Sequence, residues 1–265
     1  MLLIYDKPLI FYPISTLMLA GIRDIQIICT SRDLLNFKTL LGDGKQLGVN
    51  FFYSIQDVAA GLPDGIIKSE EFINNDRFAL ILGDNFFFGA GLGTNLRNLD
   101  LNTGAHILTF QVSEPSKFGI IDTDSSGLII NMEEKPKISQ SNLAITGLYF
   151  FASDAIEKSK SLKVSHRNEL EIVDLLKIYW NEGQLKRTHM PRGTIWLDTG
   201  SFDAILEASH YVKIIQTRQN LMIANLEEIA WRNGWLTDNQ LRNIATNAKD
   251  SQIREYLLNI LKNSD

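Results

Sequence analysis

The chain has 265 residues, 45% of them apolar and 22% charged, with a net charge of -5 and one cysteine. These totals describe a folded globular chain, exclude an intrachain disulfide, and argue against a surface built for nucleic acid. No apolar run reaches the length of a membrane span, and the first residues lack the flank and cleavage site of a signal peptide. The lone Cys29 in "IQIICT" reads as a small buried hydrophobe and suits a reducing, cytoplasmic setting.

The opening "MLLIYDKPLIFYP" is apolar without a polar lead-in, as the interior of a domain would be. "PISTLMLAGI" has helical spacing and stops at Gly21. "DIQIICT" and "VNFFYSIQ" read as strands on either side of a helix, "SRDLLNFKTLLGDG". "IIKSEEFI" is helical. "RFALILGDN" is a nearly continuous apolar run, predicting a fully buried parallel strand. "AHILTFQV", "GIIDTD", "GLIINMEEKP" and "LAITGLYFF" follow as strands. Then come a helix in "RNELEIVDLLKIYWNEG", strands at "LKRTHMP" and "TIWLDTG", and a mainly helical remainder: "FDAILEASHYVKIIQTRQ", "LEEIAWRNG" and "DNQLRNIATNAKDSQIREYLLNILK". The alternation predicts an α/β fold, Rossmann-like, with a mostly parallel twisted sheet covered by helices on both faces. Residues 1–205 would form the α/β domain and 206–265 a helical C-terminal extension.

Ligands of such sheets gather at the carboxyl ends of strands, which singles out Asp84 after "ALILG" and Asp198 after "TIWL". A strand-end carboxylate can hold a divalent cation; the alternative is an Asp-Asn turn at Asp84 and a helix cap at Asp198. In "EEKP", Lys135 could present a point charge to a phosphate and Glu134 could accept from hydroxyls, or the segment is a solvated turn. Arg167 in "HRNELEIVD" could fork onto a phosphate, or belong to a capping cluster with Asn168 as N-cap and Glu171 three residues on. His106, His166, His189 and His210 show no metal-ligand spacing, and "LGDGKQLG" and "GAGLG" are not phosphate-binding loops.

Taken together and in this order, "YDKPLIFYPISTLMLAGIRDI", "LGDNFFFG", "KFGIID", "EEKP", "TGLYFF", "RNELEIVD" and "WLDTGSFDAILEAS" resemble the glucose-1-phosphate thymidylyltransferase family of sugar-phosphate nucleotidyltransferases, from about Leu2 to Leu236. The resemblance implies a fold of the nucleotide-diphospho-sugar transferase type and a reaction joining glucose 1-phosphate to dTTP, giving dTDP-glucose and pyrophosphate. It implies Mg²⁺ on Asp84 and Asp198, with Lys135 and Arg167 on the sugar phosphate. It further implies Gln56 and Gly61 facing the base, and Phe118, Gly119, Glu134, Ile145 and Gly147 lining the sugar pocket. Phe118 stands where the family more often has tyrosine. Neither nucleic acid nor membrane is an expected partner.

The family begins with a strand and a Gly-Gly-x-Gly-Thr-Arg-Leu loop ahead of the stretch equivalent to "LLIYDKP", where this sequence starts. The expectation is therefore weak turnover. Besides the enzyme, a non-catalytic sugar-phosphate-binding or oligomerising homologue and a metal-dependent glycosyltransferase remain open readings. Trp231, Trp235 and "IREYLLNILK" predict a homo-oligomer, dimer or tetramer, through exposed apolar patches.

Overall fold

A computed structural model describes residues 2–99 and 103–263. Met1, which the resemblance places just past a phosphate loop, lies outside them. The chain opens on an antiparallel hairpin, β1 (Leu3–Ile4) and β2 (Lys7–Pro8), followed by α1 (Phe11–Leu19). Gly21, at φ 87, takes the chain out of α1 in a conformation that costs a residue without Cβ little. Strand β3 (Asp24–Cys29), helix α2 (Leu34–Leu41) and strand β4 (Asn50–Ile55) form a parallel βαβ unit, with Asp24 opposite Asn50 and Cys29 opposite Ile55. Cys29 is half-buried, and burial pushes its thiol up, away from the reactive thiolate.

Helices α3 (Leu62–Lys68) and α4 (Glu70–Ile73) lead to β5 (Phe78–Ile81), β6 (Asn85–Phe88) and α5 (Leu92–Arg97). Four strands follow: β7 (Ala105–Gln111), β8 (Gly119–Thr123), β9 (Ile129–Glu134) and β10 (Leu143–Phe151). Then come α6 (Ala155–Lys160), α7 (Ile172–Asn181), β11 (Leu185–His189) and β12 (Ile195–Asp198). The chain closes with α8 (Phe202–Gln219), α9 (Leu226–Arg232), α10 (Asp238–Asn247) and α11 (Ser251–Lys262). Helix α8 runs unbroken through residues 205 and 206.

The six-stranded sheet has the order β11-β7-β10-β8-β9, with β5 also on β10. Strand β10 offers one edge to β7 and shares the other, β8 taking Leu143–Ala144 and β5 taking Leu148–Phe151. Side chains of its second half alternate between two cores. Leu148 and Phe150 join α1, β3 and α9, while Tyr149 and Phe151 join α3, α6 and α7. Each fully buried side chain of that kind stabilises by about 1.5–3 kcal/mol. A third cluster packs α8 and the opening hairpin, through Ile4, Tyr12, Phe86, Ala208 and Val212. Among the described residues no helix is long and apolar enough to cross a membrane.

The α/β class and the flanking helices are as expected, but the pairing is more antiparallel than the alternation of elements predicts. Among the described residues only β3–β4 and β7–β11 are parallel ladders. Strands β8, β9 and β10 follow one another without a helix to carry a crossover, so they fold back as antiparallel neighbours. Strand β5 is also not the fully buried parallel strand expected. It pairs antiparallel with β10, and all four of its residues are only half-buried, because its other edge looks into a cavity. The long terminal helix is two helices, parted where the Asp250 side chain accepts from Gln252 N–H and Ile253 N–H. Asn168 does not cap α7; it sits in a left-handed turn at φ 62, and the helix starts after Glu171.

Trp231 and Trp235, expected in exposed patches, are instead half-buried against the main core. Trp235 packs on the main core beneath the Arg23 guanidinium, 5.4 Å from its ring, and Leu257 and Leu261 are buried against α10. The exposed apolar stripe lies on α8 instead, where Phe202, Leu206 and Ile214 are 85%, 56% and 58% exposed.

Candidate active site

Strand β6 pairs antiparallel with β12, setting Asp198 opposite Asn85 and therefore beside Asp84. The crossing is locked by Thr199, whose N–H and Oγ1–H both donate to the Asp84 carbonyl, at 2.9 and 2.6 Å. Gly200 N–H donates to Asp198 Oδ1 at 2.9 Å. A methyl group placed on Gly200 would lie 3.0 Å from Asp198 Oδ1 and 3.7 Å from Asp84 Oδ2, so one small volume touches both carboxylates. Burial, and next the Asp84 charge, hold the Asp198 carboxyl above its usual range; Lys135 and Lys117 pull the other way. A divalent cation would relieve that repulsion, and two hard oxygen donors are what Mg²⁺ takes from a protein when phosphate and water complete its shell. Among the described residues no cluster of three or more His, Cys, Asp or Glu side chains offers another such place.

Asn85 organises this corner from below and is completely buried. Its Oδ1 accepts from Trp196 Nε1–H at 2.6 Å and from Gly147 N–H at 3.1 Å, and its Nδ2–H donates to Asp84 Oδ1 at 2.9 Å. The room that a side chain at 147 would need is filled by the Asn85 amide, so Gly147 serves the close approach of β10 to β6. Sequence reading passed over Asn85 as half of a turn, and passed over Trp196 and Thr199 inside "TIWLDT". An amide next to a strand-end Asp, and a Trp two residues before the other strand-end Asp, are the trace they leave. Lys117 was passed over too. It pairs with Glu114 at 2.9 Å and feels the Asp198 charge.

A second group stands at the end of β9. Glu134 Oε1 lies 4.0 Å from Lys135 Nζ and 3.7 Å from Arg167 Nη1, so one carboxylate oxygen draws both cations together. Arg167 is further held by Glu169 at 2.7 Å and Glu171 at 3.3 Å. Both readings of "HRNELE" thus hold in part: the guanidinium sits in an acidic cluster, and it still faces Glu134. Lys135 has φ 45, a left-handed conformation that costs a side-chain-bearing residue about 1–3 kcal/mol. Its N–H is anchored to the Phe118 carbonyl at 3.0 Å. Burial pushes the Glu134 carboxyl up, against the pull of Lys135.

Phe118 stacks obliquely on Trp196, ring centres 5.0 Å apart, which ties this group to the carboxylate corner. The absent side chain of Gly119 leaves space over Glu134: a methyl there would sit 3.2 Å from Glu134 Oε2 and 3.5 Å from Ile145 Cδ1. Gln56 and Gly61 form a third group after β4. Gln56 Nε2–H donates to Asp64 Oδ2 at 2.7 Å and to the Gly61 carbonyl at 3.3 Å. Gly61 bridges to Leu170, joining this loop to the one that carries Arg167.

Two carboxylates meeting at adjacent strand ends of an α/β fold, beside a Lys–Glu–Arg cluster, are a chemistry suited to a phosphate and a divalent cation. The chain belongs to the nucleotidyl transferase family, whose model matches residues 1–214. It is 45% identical to a glucose-1-phosphate thymidylyltransferase of Mycolicibacterium smegmatis over 97% of this chain and 90% of that protein. A protein of the same name from Neisseria meningitidis is also 45% identical, over 98% and 90%. Among solved structures, a Bacillus anthracis chain assigned to glucose-1-phosphate thymidylyltransferase, in complex with sucrose, superposes with TM-score 0.72 at 33% identity, covering 79% of this chain and 84% of that one. A UDP-glucose pyrophosphorylase complexed with UDP-glucose gives 0.67 at 27%, covering 81% and 89%.

Proposed function

We propose that this chain joins glucose 1-phosphate to dTTP, forming dTDP-glucose and releasing pyrophosphate. The observation that supports it most directly is the crossing of β6 and β12, which sets Asp84 and Asp198 on one small volume beside Lys135. A phosphate oxygen of the sugar attacks the α-phosphorus of the triphosphate. The new P–O bond forms as the bond to the bridging oxygen breaks, and pyrophosphate carries the electron pair away. Such transfers depend on positioning and charge neutralisation more than on covalent work by the protein.

In this reading Lys135 and Arg167 hold the sugar phosphate, and Glu134 accepts a sugar hydroxyl in the space left by Gly119. Phe118, Ile145 and Gly147 bound that space, while Gln56 and Gly61 meet the base. Asp84 and Asp198 are the ligands of Mg²⁺, which supplies positive charge to the triphosphate when bound. Residues 1–205 carry the reaction, and 206–265 is a helical extension. The α8 stripe of Phe202, Leu206 and Ile214 is the face of a homo-oligomer. The reaction belongs to the cytoplasm, a reducing setting that suits the lone Cys29.

The test is pyrophosphate release across a matrix of triphosphates and sugar 1-phosphates, with calorimetry of sugar-phosphate binding alongside. dTTP with glucose 1-phosphate should give the highest kcat/KM, and Asp84→Asn and Asp198→Asn should each lower kcat by about 100- to 1,000-fold, as loss of one charge-stabilising group does. A faster pair of other substrates, or no binding of glucose 1-phosphate, would overturn the reading.

A further inference from the structure

Building on the base contact given to Gln56 above, we propose that Asp64 is a positioning residue for base selection. It fixes the Gln56 amide with the oxygen end toward the base, so that the site takes a pyrimidine carrying a ring N–H and rejects cytosine.

The backbone of Gln56 has little freedom. Its N–H donates to the Cys29 carbonyl at 2.9 Å, and the carboxylate of the next residue, Asp57, accepts from Ser31 N–H at 2.6 Å. What stays open is the turn of the amide, whose two ends are alike in shape and opposite in hydrogen bonding. Gln56 Nε2 lies 2.7 Å from Asp64 Oδ2 and 3.3 Å from the Gly61 carbonyl oxygen. A carboxylate and a carbonyl only accept, so the end that faces them has to be the –NH2. Turned over, the amide would set its oxygen against two acceptors and lose both bonds. Among the described residues no donor meets Oε1, which leaves that atom for a ligand.

A neighbour keeps Asp64 an acceptor. Asp64 stands in the first turn of α3, and Lys68, one turn on, donates to the same Oδ2 at 2.6 Å. Burial pushes the Asp64 carboxyl up, but the hydrogen bonds from Lys68 and Gln56 outweigh it and hold the carboxyl below its usual range. At neutral pH it has no proton to offer to the oxygen end of the amide. Thymine and uracil present a ring N–H between two carbonyls, whereas cytosine presents a bare ring nitrogen in that place, an acceptor against an acceptor. A site built to bond a group rejects the analogue that lacks it, because its own polar atom is left unpaired.

The test is calorimetry of the whole chain, with Mg²⁺, against dUTP and dCTP, which differ only along this edge of the base. The parent should bind dUTP about tenfold or more tightly than dCTP, a step equivalent to one net hydrogen bond. In Asp64→Ala the two affinities should draw to within about threefold of each other. In Asp64→Lys, where an ammonium would hold the oxygen end of the amide, dCTP should bind at least as tightly as dUTP. Added positive charge acts on both triphosphates alike, so the ratio reads the amide alone. Lys68→Met leaves the carboxylate in place and should keep the parent ratio. The Asp64–Lys68 pair is partly exposed, and loss of such a pair costs little stability, so these variants stay folded.

A parent without preference, an unchanged ratio in Asp64→Ala, or an equal fall of the ratio in Lys68→Met would overturn the proposal. A loss of affinity shared equally by both nucleotides would mark Asp64 as merely structural. Gln56→Ala tells the two failures apart. Unchanged dUTP affinity there removes the base contact and the role of Asp64 with it. Weakened dUTP affinity there, beside an unchanged ratio in Asp64→Ala, refutes the role of Asp64 alone.

Discussion

Replacing Asn85 by alanine should cost more than any other single truncation around the carboxylates. The change removes the acceptor shared by Trp196 Nε1–H and Gly147 N–H, at 2.6 and 3.1 Å, in a place with no solvent access. An orphaned buried donor costs about 1–3 kcal/mol, so the two together cost about 2–6 kcal/mol, out of a total stability of about 5–15 kcal/mol. Trp196→Phe should cost far less through this contact, about 1 kcal/mol, because the Asn85 oxygen keeps its bond to Gly147. In the double variant the indole donor is no longer orphaned, so the double should be more stable than the sum of the singles by about 1–3 kcal/mol. Urea unfolding followed by circular dichroism measures all four corners of the cycle. Additivity within about 0.3 kcal/mol, or a cost below about 1 kcal/mol for Asn85→Ala, would refute the reasoning. The Asn85 Nδ2–H also holds Asp84 at 2.9 Å, so in a variant that remains folded kcat should fall with KM for the sugar phosphate little changed.

Burial raises the Glu134 carboxyl, so the folded state holds this proton more tightly than the unfolded state and stability is lost as pH rises from the unfolded value through the folded one. Glu134→Gln should therefore be more stable than the parent at pH 7, with the difference vanishing at acid pH; equal unfolding midpoints at both pH values would count against it. Gly61→Ala should destabilise by more than about 2 kcal/mol in urea, because φ is 97 and the new methyl would run into the Leu170 backbone. Lys135→Ala should weaken glucose 1-phosphate binding about tenfold or more by calorimetry while leaving the melting temperature within a few degrees, since its one ion pair is at 4.0 Å and half-exposed; unchanged affinity would remove Lys135 from the site. Leu206→Glu with Ile214→Glu should convert an oligomer to a smaller species in sedimentation, and an unchanged mass would move the interface elsewhere.

Much of this protein was legible locally. The period of the apolar residues marked most of the longer helices and strands, because a helix or strand buries one stripe whatever lies across from it, but not the β1–β2 hairpin, β6, α5 or α6. Glycine turns after "ALIL" and the Asp-Thr-Gly after "TIWL" marked the strand ends, and so picked out Asp84 and Asp198. Short elements were harder. Strand β6 is four residues of "NFFF" between two turns, and only its partner β12 makes it a strand. The terminal helical run looked continuous because no glycine or proline interrupts residues 238–262.

By itself the sequence determined which segments are helical or extended, which residue types end the strands, and the family to which the order of motifs belongs. Tertiary structure alone decided what meets what. The register of β6 on β12 puts Asp198 opposite Asn85, and a slip of one residue would turn Asp198 to the other face and dissolve the carboxylate pair. It also drew Arg167 onto Glu134 and packed the half-buried tryptophans that looked like an interface against the main core. The physical reason is that helix and strand formation depend on neighbours in the chain, whereas pairing, burial and the field at a carboxylate depend on groups distant in sequence that only the packed sheet brings together.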